Sequence, residues 1–219
     1  MFVKRRCSEV DFAYDEPSAI MKHVDRSLAP GFLIASPPLG DPNFAKTVVL
    51  LAVHGKEGAL GFIVNRVAPV SLGEVFKFAG YRGDESQDKS AVYLGGPVSP
   101  STGWILCVDS DIDPEEEGVL AIDERLRVTS RRAAFDAFAQ DRMKRPGQSD
   151  PKRRMVILGY SGWGPGQLER EIGAGAWLPT PLDEGVMFDV DAEKRWERAY
   201  ALLGLTPAVM MTMRGGGAA

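Results

Sequence analysis

The sequence predicts one α+β domain with a twisted sheet, mixed or mainly antiparallel, and flanking helices. Two β-rich runs, 47–53 and 59–64, are separated by five residues that include two glycines, which is typical of an antiparallel hairpin. Helical patterns occur between the strands without the regular alternation of a parallel sheet. A length of 219 residues and a hydrophobic content of 44% suit a single compact domain with its own core.

The predicted strands are short apolar runs bounded by turn residues. The run 47–53 is apolar on both faces, so we expect it to be central and buried on both sides. Prolines at 37–38 end the first run, and the sequence Gly-Gly-Pro at 95–97 ends the fourth. In order, the predicted strands lie at 32–35, 47–53, 59–64, 91–94, 103–108, 155–160 and 186–190.

The predicted helices are recognised by their caps and by their periodicity. Ser71 and Glu74 form a capping box, and Gly80 ends the helix that follows. Asp191 is expected to cap the last helix, which Gly204 closes. In order, the predicted helices lie at 71–79, 130–143, 167–172 and 191–203.

The remaining segments are predicted to be loops or ends. The polar segment 82–90, the acidic segment 109–118 and the basic segment 142–154 are expected to be solvated. The basic segment could contact phosphates, but it lacks the aromatic residues that stack on bases. We expect residues 1–29 to be a weakly ordered extension, residues 30–213 to be the domain and residues 214–219 to be a frayed tail.

Composition favours a cytoplasmic protein without membrane contact. Residues 8–16 are acidic where a signal peptide would be apolar, and the longest apolar run, 48–53, is too short to cross a bilayer. The net charge of −4 and the absence of a helix-turn-helix spacing indicate no sequence-specific DNA binding. The two cysteines, Cys7 and Cys107, form no metal-binding pattern, so neither a metal nor a cofactor is predicted.

No catalytic constellation is visible. The two histidines, His23 and His54, have no neighbouring serine or cysteine in the context of a nucleophile. Cys107 lies in an apolar strand, where burial raises the pKa of a thiol and makes it less reactive. We therefore interpret His54 as a loop histidine and Cys107 as a core residue, and we assign no catalytic residue.

The glycine loop 161–166 is the strongest candidate for binding. It follows a strand and precedes a helix, a position where free amides and the helix dipole favour an anion. However, the spacing matches neither of the known glycine-rich phosphate loops. The alternative is that the three glycines supply unusual dihedrals and Trp163 packs across the turn. Gly95 and Gly96 leave the same choice open, between close approach of a ligand and a plain turn.

These features combine into one hypothesis for a site. Trp163 is expected to be partly exposed and to line a concave site with the double glycine and with Asn65 and Arg66. Gln167 and Glu171 share a helix face beside it. The full set of candidate residues for a ligand or partner is Asn65, Arg66, Gly95, Gly96, Gly162, Trp163, Gly164, Gln167 and Glu171.

Four blocks of sequence carry a family resemblance. They read ASPPLGDPNF at 35–44, EGALGFIVNR at 57–66, GGPV at 95–98 and GYSGWGPGQLE at 159–169. In this order they resemble the YqgE/AlgH family of bacterial proteins, also called DUF179 or UPF0301. The resemblance implies a compact α+β domain with a partly bifurcated sheet. Family members are often described as transcriptional regulators, but their activity is not established.

Two functional hypotheses follow. The leading one is an uncharacterised, non-enzymatic regulatory or binding protein that acts through contact with an unidentified protein or through sensing of a small ligand. The alternative is an enzyme, or a nucleotide- or anion-binding protein, that uses the glycine-rich loops. The family-matching blocks favour the first hypothesis, because they are rich in Gly, Pro, Asn and Trp and poor in groups that move protons.

Overall fold

A mainly antiparallel sheet forms the centre of the molecule. The computed structural model describes residues 27–81, 88–108, 112–144, 150 and 152–215, and within them ten strands form one sheet. These strands are β1 (Gly31–Ala35), β2 (Val48–Gly55), β3 (Gly58–Ile63), β4 (Val67–Ser71), β5 (Ala91–Leu94), β6 (Val98–Val108), β7 (Val119–Ala121), β8 (Leu126–Thr129), β9 (Arg154–Trp163) and β10 (Trp177–Pro181). The flanking helices are α1 (Leu72–Phe78), α2 (Arg132–Met143), α3 (Gln167–Gly173), α4 (Glu184–Phe188), α5 (Arg195–Leu202) and α6 (Pro207–Gly215).

The sheet forks at β9. Its main path runs β10-β1-β2-β3-β9-β6-β8-β7, and β4 and β5 form a side branch. Residues 156–158 of β9 pair in parallel with β5, whereas residues 161–163 pair with β3. Gly159 lies between these two segments with a φ of 69°, which glycine adopts without steric cost. The predicted α+β class is confirmed, as is the mainly antiparallel sheet.

Three apolar clusters hold the sheet and helices together. Alternate residues of β1 and β2 point to opposite faces, so the two strands contribute to two of the clusters. The largest cluster packs one face against α4 and α5, and a second contains Trp163 and Trp177 on the other face. The third lies between α1, α2 and the strands β5, β6 and β9. Residues 48–51 are fully buried, which confirms the prediction that this run is central.

A hairpin, a helix cap and a helix predicted from local sequence signals are present in the structure. The β2–β3 hairpin forms with Leu50 opposite Phe62. The capping box is present, because the Ser71 hydroxyl accepts a hydrogen bond from the Glu74 amide at 3.4 Å and the Glu74 carboxylate accepts one from the Ser71 amide at 2.8 Å. The predicted helix 130–143 corresponds to α2, which begins two residues later.

Other elements were predicted wrongly or missed. The predicted strand 186–190 is wrong, because 184–188 form α4 and bury Val186 and Met187 in the largest apolar cluster. A short apolar run does not distinguish a buried strand from a buried helix. The strand predicted at 155–160 continues to Trp163, so part of the expected glycine loop is strand. The strands β4, β7, β8 and β10 were not predicted. Of these, β4 and β10 each contain proline, which argues against a strand in a sequence.

Some expectations concern residues outside the described ranges. They include the polar loop at 82–87, the start of the acidic loop at 109–111, and residues 1–26 and 216–219. The division of the chain into extension, domain and tail therefore stays a prediction. Among the described residues, no helix is long and apolar enough to cross a membrane.

Candidate functional site

Asn65 and Arg66 bind the loop between β1 and β2. The Asn65 side-chain oxygen accepts a hydrogen bond from the Val48 amide at 2.8 Å, and its amide group donates to the Lys46 carbonyl at 2.9 Å. Arg66 donates to two carbonyls of the same loop, including that of Asn43 at 2.6 Å. The polar atoms of both side chains thus hold this loop against the end of β3.

Gly95 and Gly96 allow the turn after β5 to approach β9 closely. A Cβ atom at Gly96 would lie 2.3 Å from both the Tyr160 carbonyl oxygen and the Ser161 hydroxyl, and one at Gly95 would lie 2.4 Å from the Gly159 oxygen. The Ser161 hydroxyl donates to the Gly95 carbonyl at 3.0 Å. The close neighbour of the double glycine is therefore the backbone of the same chain.

The three glycines of the β9–α3 segment have different roles. Gly166 has a φ of 68° and immediately precedes α3. Gly162 and Gly164 lack a positive φ, and Cβ atoms there would have no neighbour closer than 3.6 Å and 3.9 Å. The expectation of unusual dihedrals at all three positions is therefore wrong for these two. The Gly164 amide donates to the Gln167 side chain at 3.1 Å, so it is not free for an anion.

Trp163 is buried, which corrects the expectation that it is partly exposed. Only 6% of the residue is accessible. Its indole nitrogen donates to the Glu171 carboxylate at 2.9 Å, and that of Trp177 donates to the same oxygen at 2.8 Å. Gln167 donates to the other oxygen at 2.8 Å, and Phe44 packs against both indoles. We call these five residues the tryptophan–glutamate cluster. Trp163 can be buried in this cluster because the Glu171 carboxylate accepts the hydrogen bonds of both indole N–H groups.

Most of the nine predicted residues therefore make internal contacts. Seven of them divide between the β1–β2 loop, the crossing of the double glycine over β9, and the tryptophan–glutamate cluster, whereas Gly162 and Gly164 flank Trp163 in the chain. The polar side chains among them have hydrogen-bond partners within the chain. That these residues bind a ligand or partner stays a prediction.

His54 has both ring nitrogens occupied. It lies in β2 rather than in a loop, and its Nδ1 accepts a hydrogen bond from the Leu28 amide at 3.0 Å. Its Nε2 lies 2.9 Å from the Glu169 carboxylate. A backbone hydrogen bond at Glu169, and then the hydrogen bond from His54, lower the pKa of that carboxyl group. Because both nitrogens are occupied, His54 lacks a free position from which to accept a substrate proton.

A cleft of about 290 Å³ opens where β5, β9, α2, α4 and α5 meet. We call it the arginine cleft, because four arginines lie in its wall. Its other lining residues are mostly apolar, and they come from both the side branch of the sheet and the helices of the largest core cluster. The lining residues are Leu72, Ser90, Ala91, Tyr93, Phe138, Arg142, Asp150, Arg153, Arg154, Met155, Val156, Met187, Phe188 and Arg195.

Three of the four arginines are paired with carboxylates. Arg142 is buried and donates to Asp88 at 2.5 Å and 2.9 Å. Arg154 donates to Asp150 at 2.6 Å and to Asp141 at 2.7 Å. Arg153 forms an ion pair with Asp189 and lies 3.5 Å from the Glu184 carboxylate. The charges of these three side chains are thus neutralised within the protein.

The surroundings shift the pKa values of Asp88 and Arg154. Burial alone would raise the pKa of Asp88, but hydrogen bonds from Ser90 and Arg142 outweigh it and lower the pKa of that carboxyl group. Burial would likewise lower the pKa of Arg154, but the hydrogen bonds and charges of its aspartates raise it. Both side chains are therefore held in their charged forms.

The fourth arginine, Arg195, is different. It is only 5% exposed, and it donates hydrogen bonds to the Val190 carbonyl at 3.0 Å, to the Val64 carbonyl and to the Tyr93 hydroxyl at 3.1 Å. Its guanidinium also lies over the Tyr93 ring, 4.9 Å from the centroid. Within the described residues no carboxylate is in ion-pair distance of it. The cleft therefore contains one buried positive charge that only neutral groups contact.

Arg195 and Tyr93 are not among the residues predicted from the sequence. A signal for Arg195 was present, because it lies four residues before Ala199 on the face of α5 that was expected to be buried. A charged residue on a buried helix face requires an explanation. No signal identified Tyr93, because an aromatic residue in a strand is normally part of the core.

The described lining of the cleft contains few groups that could transfer a proton or hold a metal. Among the described residues that line the cleft there is no histidine or cysteine, and Asp150 is held by Arg154. In the part of the chain that the structure describes, no three His, Cys, Asp or Glu side chains are close enough together to hold a metal ion.

Comparisons with known proteins place these observations in a family. The family model described as AlgH-like (DUF179) matches residues 32–208. A UPF0301 protein of Anaeromyxobacter dehalogenans is 41% identical over 200 residues, which are 89% of this chain and 98% of the relative. A UPF0301 protein of Myxococcus xanthus is 37% identical over 191 residues, with 87% and 98% covered.

Two solved structures resemble the fold. The solution structure of the AlgH protein from Pseudomonas aeruginosa matches with a TM-score of 0.67 and 31% identity, over 91% of this chain and 99% of that one. A crystal structure of a protein from Corynebacterium diphtheriae has a TM-score of 0.58 and 20% identity, over 82% and 88%, and supports the fold alone. The resemblance in the four sequence blocks is thus confirmed, and the chain belongs to the uncharacterised AlgH-like DUF179 family, the UPF0301 proteins.

Proposed function

We propose that this protein is a cytoplasmic binding protein that holds a small molecule in the arginine cleft and catalyses no reaction. The observation that carries the proposal is the composition of the cleft, whose wall is shared about equally by apolar side chains and by polar side chains that are fixed by their own hydrogen bonds. Concave sites that combine apolar side chains with fixed polar groups are typical of small-molecule binding. The volume of about 290 Å³ suits a ligand the size of a small metabolite.

A regulatory role is the most natural use of such a site. The walls of the cleft come from α2 and β5 on one side and from α4 and α5 on the other. A ligand that contacts both sides stabilises their relative position, because it binds only the folded arrangement. We propose that a partner protein senses this change, so that the protein acts as a sensor of its ligand.

The enzymatic alternative has less support. General acid–base catalysis needs a group that is free to exchange a proton with the substrate. In the described residues, His54 uses both ring nitrogens and Glu171 accepts three hydrogen bonds inside its cluster. Nucleotide binding by the glycine loops is also less favoured, because Gly95 and Gly96 approach the protein's own backbone.

Blocking the cleft tests the proposal. Ala91 is an exposed strand residue in the wall of the cleft, so Ala91→Trp is expected to fill part of the volume. Ala121, an exposed alanine of β7, provides the matched control variant Ala121→Trp. We expect a mixture of small organic compounds to shift the NMR signals of Met155 and Met187 in the native protein and in the control, but not in Ala91→Trp. Identical shifts in all three proteins would refute the proposed site.

A further inference from the structure

We propose that the ligand of the arginine cleft carries a carboxylate or phosphate group, which Arg195 and Tyr93 bind together. This inference rests on the proposed function, since it specifies the chemistry of a ligand in the same cleft. The two anionic groups share the chemistry that the site recognises, namely oxygen atoms that accept several hydrogen bonds and carry negative charge.

The guanidinium of Arg195 has hydrogen-bond donors to spare. A guanidinium carries five N–H groups. In this structure Nε donates to the Val190 carbonyl, Nη1 to the Val64 carbonyl and Nη2 to the Tyr93 hydroxyl. Because each Nη carries two hydrogens, one N–H of each Nη has no acceptor among the described residues. A guanidinium is the side chain best suited to hydrogen-bond the oxygens of a carboxylate or phosphate.

Among the described residues, no carboxylate forms a direct ion pair with Arg195. Its charge acts on the exposed carboxylate of Asp191, which forms its own ion pair with Lys194 at 2.9 Å. Buried charges are normally paired, because removing an ion from water is costly. The Tyr93 ring offsets part of this cost through a cation–π contact. An anion in the cleft would supply the missing negative charge.

Tyr93 contributes a third donor. Its hydroxyl oxygen accepts the hydrogen bond from Arg195 at 3.1 Å, so its own hydrogen remains available. No acceptor for this hydrogen is present among the described residues. Tyr93 and Arg195 both line the cleft.

The remainder of the cleft limits the ligand to one anionic group on an apolar body. Arg142, Arg153 and Arg154 already carry carboxylate partners, so they do not require a second anion. The nearby walls are apolar and include Phe138 and Met187. We therefore expect a small organic acid or phosphate ester whose carbon skeleton packs against these side chains.

Three probe compounds distinguish the possibilities. Benzoate and phenyl phosphate carry the two anionic groups on the same ring, and benzamide is the neutral counterpart of benzoate. We expect at least one anion to bind the native protein about tenfold or more tightly than benzamide, as measured by NMR titration. The ratio of the benzoate and phenyl phosphate affinities identifies which anionic group the site prefers.

Variants locate the effect. Tyr93→Phe removes only the hydroxyl and is expected to lower the affinity for the preferred anion about tenfold. Arg195→Lys keeps the charge but loses the planar fork, and we expect a larger loss. Arg198 is exposed on the same helix, so Arg198→Lys is the matched control and should bind like the native protein. If Arg195→Lys does not fold, the affinity of Tyr93→Phe and the comparison with benzamide still test whether Arg195 and Tyr93 bind an anion.

The failures of the two proposals can be told apart. If benzamide binds as tightly as benzoate and phenyl phosphate, and Ala91→Trp abolishes its binding, the cleft binds small molecules but the anion inference is overturned. If the anions bind equally well to native protein, Tyr93→Phe and Arg195→Lys, the inference is also overturned. If no probe binds the native protein at millimolar concentration, this inference fails, while the mixture of organic compounds still tests the cleft itself.

Discussion

The tryptophan–glutamate cluster and the arginine cleft both place a charged side chain in buried surroundings, but they treat the charge differently. In the cluster, Glu171 accepts hydrogen bonds from two indoles and from Gln167, and the aromatic rings pack closely around it. In the cleft, Arg195 donates to neutral groups and faces an open volume. The first arrangement is complete without a ligand, whereas the second has unused donors.

This difference distinguishes residues that stabilise the fold from residues of the proposed site. The four family-matching blocks contain Gly95, Gly96 and Trp163, which let strands approach or fill the core. Tyr93 and Arg195 lie outside those blocks. The most recognisable residues of the sequence thus build the framework, and the residues with free binding capacity come from less distinctive segments.

The largest expected effect concerns the crossing of the double glycine over β9. Gly96→Ala would place a Cβ atom 2.3 Å from two atoms of β9, and its φ of 152° disfavours any side chain. We expect a loss of more than about 5 kcal/mol, which is enough to unfold a domain. Gly162→Ala is the control, because its nearest neighbour would be 3.6 Å away. Circular dichroism should show that Gly162→Ala is folded and Gly96→Ala is unfolded. A folded Gly96→Ala would contradict the close approach of the double glycine to β9.

The next largest effect concerns the ion pair at the edge of the cleft. Asp88→Asn removes the carboxylate that forms an ion pair with the buried Arg142 guanidinium, so we expect a loss of about 3–5 kcal/mol at pH 7. Urea denaturation measures this loss.

The pH dependence of that loss checks its electrostatic origin. The folded protein lowers the pKa of Asp88, so the carboxylate stabilises the native state above the ordinary aspartate pKa of about 4. This contribution disappears as the pH falls through the lowered pKa of the folded state. The native protein and Asp88→Asn should therefore differ most at neutral pH and converge in acid. A constant difference down to pH 3 would show that packing, rather than charge, is responsible.

A smaller effect is expected in the tryptophan–glutamate cluster. Glu171→Gln turns one acceptor into a donor that faces other donors, which should cost about 2 kcal/mol. Glu169→Gln makes the same chemical change two residues earlier, where the side chain is 52% exposed, and should cost less than about 0.5 kcal/mol. Thermal unfolding of both variants provides the comparison. Equal losses would mean that the cluster is not a closed network.

The smallest effect is expected in the part of the cleft that faces the ligand. Tyr93→Phe keeps the aromatic ring in the core and removes one hydrogen bond to Arg195, so we expect a stability loss below about 1 kcal/mol. The unfolding midpoint in urea measures it. A stability loss as large as that of Glu171→Gln would show that the Tyr93 hydroxyl mainly stabilises the fold. The cleft and the tryptophan–glutamate cluster would then not differ in this respect.

The fold was predictable where signals are local. The hairpin and the capping box depend on residues close in sequence, and both were predicted correctly. The pairing of Asp88 with Arg142 joins positions 54 residues apart, so the basic segment was interpreted as solvated. Trp163 was misplaced for a similar reason, because its burial depends on a carboxylate in the next helix and on Trp177 beyond it. Such contacts exist only once the chain has folded.

The fork at β9 has a consequence for the order in which the molecule assembles. The strand takes partners from segments that precede it by long stretches of chain, such as Ala59 opposite Trp163, and β1 closes against β10 at the far end of the domain. Such non-local pairings make folding slow, because long loops must close before their contacts are gained. During synthesis the β2–β3 hairpin therefore leaves the ribosome with an unpaired edge. Until β9 has been translated, the unpaired edge of β3 can pair with strands of other chains and so promote aggregation.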